Sequence, residues 1–260
     1  MATNRPHKLS KRPKKANLLL YAHPGTGKTI LASSGAKVDK RGRPEPDHIR
    51  TLLLNADGPD GPESARARGF DPLVWDIEGY DDLDRVLKHR HKVAELVGPG
   101  GIVWLDSSTL FQELGMDDVM TAMLEKRPDR DPDVPDMPEY LRNQNKFGKW
   151  VRHMKAQPFN FGITAHVMRI EDEDGEVTYM PAIQGGGKIP LSSKICGYMS
   201  IVGRLYVVER KKEKGGKPVR VLQTAPRGKY YAKDRFDALG ERVIEPSLPK
   251  IMSMINGRKR

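Results

Sequence analysis

The stretch Asn17-Leu18-Leu19-Leu20-Tyr21, followed by Ala22-His23-Pro24-Gly25-Thr26-Gly27-Lys28-Thr29, limits the fold of this chain more than any other segment. The apolar run reads as a buried strand, and Ile30-Leu31-Ala32-Ser33-Ser34 reads as the start of a helix. Strand, glycine loop and helix in that order form the context that a phosphate-binding loop requires. Gly25 and Gly27 let backbone N–H groups turn inward around phosphate oxygens, and the new helix points its positive dipole end at them. The nucleotide-contacting stretch is therefore Pro24, Gly25, Thr26, Gly27, Lys28, Thr29 and Ile30. Lys28 reaches the β- and γ-phosphates of ATP, and the Thr29 hydroxyl ligates Mg²⁺. Only the first position departs from the strict motif, with Ala22 in place of glycine.

The chain has 260 residues, enough for one α/β domain with small additions. Its apolar runs are only a few residues long, which predicts no membrane span. The basic N-terminus lacks the apolar core of a secretory signal. Cys196 has no second cysteine to pair with, which fits a reducing cytoplasm, and its apolar neighbours predict a small buried hydrophobe. The net charge of +11 is segregated. Residues 1–15 carry Arg5, Lys8, Lys11, Arg12, Lys14 and Lys15 without an acid; residues 209–220 hold six basic groups against Glu209 and Glu213; Arg258, Lys259 and Arg260 close the chain. Two tails and one hairpin thus hold the positive charge. Such segments suit a polyanionic partner, which releases counterions when its phosphates are neutralised, or they serve solubility alone.

Further strands are predicted at Thr51–Asn55, Pro72–Trp75, Ile102–Leu105 and Phe159–Thr164. Helices are expected over Asp81–Val97, Thr109–Lys126 and Glu139–Lys155, with polar, proline-rich loops at Lys37–Arg50 and Arg127–Pro138. This alternation predicts a mainly parallel sheet with helices on both faces and ligands beyond the strands' carboxyl ends. The last hundred residues differ. Arg169–Tyr179 around Asp174-Gly175 predicts one hairpin, Ile201–Val208 with Val219–Thr224 a second, and Leu248–Asn256 a short helix stopped by Gly257. The expected organisation is a basic tail over 1–15, one domain over 16–256 (core 16–166, hairpin-rich part 167–256), and a basic tail over 257–260.

Ile102-Val103-Trp104-Leu105-Asp106 matches a Walker B strand, with Asp106 placed to hold Mg²⁺ opposite Thr29. Ser107 and Ser108 follow where many AAA+, ABC and terminase ATPases carry a catalytic glutamate, which points away from those types, so a water-activating carboxylate must come from another strand. Asp57, two residues past Thr51–Asn55, is placed for that role or for forming the turn Asp57-Gly58-Pro59-Asp60-Gly61. His166, two residues past its strand, is placed to sense the γ-phosphate or to act structurally.

With these motifs in order, the chain resembles the RecA-core P-loop ATPases, and most the Sak-type phage nucleotide-binding proteins proposed to act in single-strand annealing and recombination. The resemblance covers Ala16–Ser108, Phe159–His166, Val221-Leu222-Gln223-Thr224, and Lys233-Asp234-Arg235 with the C-terminal helix. It implies a RecA-like α/β fold, ATP and Mg²⁺ as cofactors, a DNA-stimulated ATPase, and homo-oligomers on single-stranded DNA. It also implies a phage single-strand-binding protein as a further partner and the host-cell cytoplasm as location. By the same resemblance Lys28, Asp57, Asp106 and His166 are catalytic. Lys233 and Arg235 resemble the Lys-x-Arg finger inserted into a neighbouring subunit's site, or form a surface charge cluster.

Two departures matter. The loop after His166, a DNA-contacting loop in RecA, carries Glu171, Asp172, Glu173, Asp174 and Glu176, which repel a phosphate backbone. Gly185-Gly186-Gly187-Lys188 or Lys211–Lys217 are the better DNA contacts, and Tyr230 and Tyr231 either stack on bases or pack in the core. Other functions compatible with a P-loop are a nucleotide-gated adaptor such as a helicase loader, and a small-molecule or nucleotide kinase, for which no arginine-rich lid is visible. Asn145-Lys146-Phe147-Gly148 lacks the aspartate that reads guanine, which argues against a GTPase.

Overall fold

The structure is a computed structural model that describes residues 14–172, 174–187, 189–209 and 218–257. Most of both basic tails, the hairpin tip 210–217, Glu173 and Lys188 lie outside the described residues, so expectations placed there stay as stated.

The first half runs β1 (Asn17–Tyr21), α1 (Lys28–Ser33), β2 (Thr51–Asn55), α2 (Glu63–Arg66), β3 (Leu73–Asp76), α3 (Tyr80–Lys88), α4 (Arg90–Val97) and β4 (Ile102–Asp106). Then come α5 (Ser108–Leu124), α6 (Met137–Met154), β5 (Asn160–Ala165), β6 (Val167–Glu171), β7 (Val177–Pro181) and α7 (Leu191–Tyr198). The chain continues through β8 (Ile201–Val208), β9 (Val219–Gln223), β10 (Lys233–Asp234), β11 (Arg242–Ile244) and α8 (Leu248–Ile255). Four of these, α2, α7, β10 and β11, are absent from the sequence reading. The helix expected over Asp81–Val97 is two helices broken at His89, where the carbonyl of Leu87 accepts from the Arg90 guanidinium at 3.2 Å. Helix α6 starts two residues before its predicted first residue because Asp136 and Glu139 form a capping box.

One nine-stranded sheet organises the molecule, in the order β11-β9-β8-β1-β5-β4-β2-β3, with β10 also pairing β8. From β8 to β3 every pairing is parallel, and the β8–β9–β11 end is antiparallel. The second predicted hairpin is therefore the continuation of the main sheet beside β1. The first hairpin, β6 with β7, forms a separate two-stranded sheet.

Side chains alternate strictly along the buried strands. Leu19, Tyr21, Leu52, Leu54, Val103, Leu105, Phe161 and Ile163 face helices α3 to α7. Leu18, Leu20, Leu53, Ile102 and Trp104 face α1 and α8. Strands buried on both faces need apolar residues at consecutive positions, which is why β1, β2 and β4 read as unbroken runs. On the first face, rings of Tyr80, Phe111, Phe147, Trp150 and Phe161 meet in sequence at centroid distances of 5.2 to 6.4 Å and lock α5 and α6 to β5.

On the other face, the Trp104 indole lies flat against β5 where residue 162 has no side chain. A Cβ at Gly162 would fall 2.1 Å from a Trp104 ring carbon. Gly162→Ala is expected to destabilise the protein by about 2 to 3 kcal/mol, because neither the backbone of a central strand nor a fully buried indole can move aside. Chemical denaturation with an unchanged m-value would check this.

Candidate functional site

Parallel register brings the motifs together. Tyr21 pairs with Ala165, Leu105 with Ile163, and Asp106 with Asn55, so β1, β5, β4 and β2 end at one level. The P-loop, His166, Asp106 and the Asp57 turn consequently line one carboxyl-terminal edge. Strand β5 lies between the P-loop strand and the Asp106 strand, which puts a Thr164 side chain between the two motifs.

In the loop, Gly25 and Gly27 have φ of 73° and 100°, values that a residue with a Cβ adopts only under strain. Gly27 caps α1 in the left-handed conformation. The loop is also held from outside: the Arg220 guanidinium of β9 donates from Nε to the Thr26 carbonyl at 3.0 Å, and a Cβ at Gly27 would fall 2.7 Å from that nitrogen. Sequence reading had assigned Arg220 only to a basic segment.

Asp106 is 3 % exposed and accepts hydrogen bonds from the Thr164 and Thr29 hydroxyls. Burial raises its carboxyl above the usual carboxylate range, against the pull of those two hydroxyls and of Lys28, while the Asp57 charge adds to the rise. Lys28 is itself buried, and burial lowers its ammonium against the opposing attraction of Asp106 and Asp57. Asp57 is oriented by Ser107, whose backbone N–H and hydroxyl both donate to Oδ1 at 2.9 Å. Asn55 braces the same turn by donating to the Gly58 carbonyl at 2.7 Å. The Asp106–Ser107 peptide is cis. Burial, with Lys28 as the next cause, lowers His166 below its ordinary value, so its neutral form is favoured; the His166 backbone N–H donates to the Thr109 hydroxyl at 3.0 Å.

Among the described residues no three histidine, cysteine or carboxylate side chains cluster as a metal site. A hydroxyl and one carboxylate in contact, beside a lysine, are nevertheless the donor set that Mg²⁺ uses when a nucleotide supplies its other oxygens. Thr29 and Asp106 fit that group. Thr164, like Arg220, was missed from sequence, since a threonine near a strand end carries no signal until its neighbour strand is known.

Lys233 and Arg235 lie elsewhere. They flank the start of β8, at the opposite end of the sheet from the P-loop, and both donate to carbonyls that end α7: Lys233 to Cys196 and Gly197, Arg235 to Gly197. Cys196 is buried beside them, and burial pushes its thiol up to about 12. A cavity of about 840 Å³ opens at that same amino-terminal end, between residues such as Arg50, Gly98 and Pro249, and touches none of the predicted site residues.

Residues 14–236 match a family model described as an AAA domain. The chain belongs to the AAA domain family. A KaiC-like protein from the hyperthermophilic archaeon Pyrococcus horikoshii is similar in structure, with 13% sequence identity and a TM-score of 0.45 over 81% of this chain and 79% of that one. No curated protein matches the sequence. The AAA domain is thus an α/β P-loop nucleotide-binding domain of the ATPase type. No helix among its described residues is long and apolar enough to cross a membrane.

One consequence of the buried carboxylate is measurable. An acid whose proton affinity rises on folding binds more protons folded than unfolded, so stability falls as pH climbs from its ordinary 3.8 through the raised value. Asp106→Asn removes that titration. Without nucleotide, wild type is expected to lose stability relative to Asp106→Asn as pH rises above the carboxyl's ordinary 3.8, by about 1.4 kcal/mol for each tenfold rise in proton affinity. Thermal melts of both proteins across that range would show it.

Proposed function

We propose that this AAA domain binds and hydrolyses ATP and couples that cycle to single-stranded DNA in phage recombination or annealing, working as a homo-oligomer in the host-cell cytoplasm. The observation that carries the reading is the shared edge of β1, β5, β4 and β2, which collects Lys28, Thr29, Asp57, Asp106 and His166 at one level of the sheet. Sak-type resemblance and the segregated basic segments support the DNA half.

In this mechanism the glycine loop and Lys28 hold the phosphates, with Lys28 partly stripped of water and so strengthened as an electrostatic partner. Thr29 and Asp106 would hold Mg²⁺, which when bound would supply neutralisation of phosphate charge. Asp57, fixed through Ser107, orients the attacking water. His166 in its neutral form donates to the γ-phosphate and passes its loss to the β6–β7 segment, whose Ala182 N–H already donates to the His166 carbonyl at 2.8 Å. Lys233 and Arg235 sit away from their own P-loop, as groups acting on a neighbour's nucleotide must. A phage single-strand-binding protein is a further partner in this reading.

The engagement of Asp57 Oδ1 by two Ser107 donors favours a second reading, in which Asp57 is only a brace and the domain is a nucleotide-gated adaptor or loader. ATPase turnover with and without single-stranded DNA separates the two. The proposal expects stimulation by DNA, near-complete loss in Lys28→Ala, and a fall of about a hundredfold or more in Asp57→Ala. Filter binding across salt should give a log–log slope near −4 for about six phosphate contacts. Absent or salt-insensitive binding would overturn the DNA half, and an Asp57→Ala protein with full function would favour the adaptor.

A further inference from the structure

The sheet extends past its helical cover at β8, β9 and β11, and on the face opposite α1 it carries an unusual set of side chains. Register places Arg204, Tyr206, Gln223 and Arg242 on that face, because Arg204 pairs with Gln223, which pairs with Arg242, and Tyr206 lies two residues on from Arg204. The segment after β9 turns at Gly228 and runs beside β7, with a Tyr179 N–H donating to the Lys229 carbonyl at 2.6 Å and a Tyr231 N–H to the Tyr179 carbonyl at 3.0 Å. This brings Tyr230 over the same face.

The result is a layered stack. Tyr179 and Tyr230 lie 4.7 Å apart and 21° from parallel. The Arg204 guanidinium lies 3.3 Å from the Tyr230 ring centre and 4.8 Å from that of Tyr206. Beside the stack is a cavity of about 610 Å³, and adjoining it a second of about 210 Å³. Tyr206, Gln223, Arg227 and Arg242 line both, so the Tyr206 ring stands at their common wall.

Charge gives the second half of the argument. Arg227, Lys229 and Arg242 are exposed around the cavities, and Arg204 is half-buried between rings. Among the described residues none of the four makes a salt bridge, although the surface elsewhere pairs arginine with carboxylate at several places. Glu241, in the smaller cavity, is the one acid among the lining residues of the two. Flat rings set among unpaired cations match a ligand with unpaired flat bases on a phosphate backbone. Duplex DNA keeps its bases stacked inside and offers these rings nothing.

We infer that this cleft, between the β8–β9–β11 end of the sheet and Tyr179 and Tyr230, is where the AAA domain holds single-stranded DNA, with a base stacked at Tyr206 and phosphates on Arg227, Lys229 and Arg242. It rests on the DNA half of the proposed function and moves the contact away from the acidic hairpin tip. It also differs from the glycine and lysine segments expected from sequence, whose Lys188 and Lys211–Lys217 lie outside the described residues.

The test uses the full chain with ATP and Mg²⁺, and a labelled oligo(dT) titrated by fluorescence anisotropy at several salt concentrations. Tyr206→Ala should weaken binding about tenfold or more with an unchanged salt slope, and Tyr206→Phe should restore it. The combined variant Arg227→Gln, Lys229→Gln, Arg242→Gln should make the slope shallower by about 2. An oligonucleotide carrying 2-aminopurine should lose fluorescence on binding wild type and keep it with Tyr206→Ala. Circular dichroism confirms folding; the three charge changes lie at exposed positions and keep the test open should Tyr206→Ala misfold. Wild-type binding that none of these changes alters would overturn the cleft and leave the DNA reading intact. A wild type that binds no single-stranded DNA, or binds duplex of the same sequence equally well, would overturn both.

Discussion

A carboxylate with almost no access to water sits at the centre of this molecule, and most of the site is arranged to keep it ionisable. Burying Asp106 alone would cost more than a domain can bear, so it would simply take up a proton. Two hydroxyls, from Thr164 on the neighbouring strand and Thr29 on α1, and the Lys28 ammonium oppose that tendency. Thr29 and Lys28 come from α1 and Thr164 from β5, and the three meet Asp106 only because β5 runs between β1 and β4 in parallel register. Topology, register and the charge state of one residue are therefore a single constraint. The domain buries a carboxyl group in readiness for a ligand that brings cations and phosphate, the usual trade of stability for a preorganised site.

This explains which parts were legible in the sequence. Strands β1, β2 and β4 stand out because both faces are buried and every position must be apolar. Asp57, Asp106 and His166 could be named because each follows such a strand by a residue or two, and strand ends are where parallel sheets place their chemistry. Thr164 and Arg220 could not. Their importance comes from partners 58 and 194 residues away in the chain, and nothing in their own neighbourhood marks them. Short elements were lost for a related reason. Helix α2 occupies four residues inside a glycine- and proline-rich turn, and β10 and β11 span two and three residues, too few for any periodicity. Tertiary pairing forms them, not local preference.

The aromatic residues divide along the same line. Tyr231 gives its carbonyl to the Tyr21 hydroxyl at 2.6 Å, and burial raises its own phenol, so it is tied into the structure where the sequence left stacking open. Tyr230 stacks on Tyr179 and Arg204 beside an open cavity. Adjacent residues at a bend point to opposite surroundings, which sequence alone leaves unresolved.

Strands β8 and β9 give the two halves of the molecule a common mechanical support. Arg204 pairs in register with Tyr21, the last residue before the P-loop, and turns toward the cleft. Three residues before Gln223, on the opposite face, Arg220 reaches the Thr26 carbonyl inside the loop itself. A ligand that straightens or shifts β8 and β9 from the cleft side thus acts on the same backbone that sets the conformation of the nucleotide loop, with no lid or hinge between. Any free energy by which DNA in the cleft favours one arrangement of these strands must appear equally in nucleotide affinity, because linkage between two sites is reciprocal. The nucleotide loop on β1 and the cleft beyond the helical cover are, in this sheet, joined through two adjacent strands.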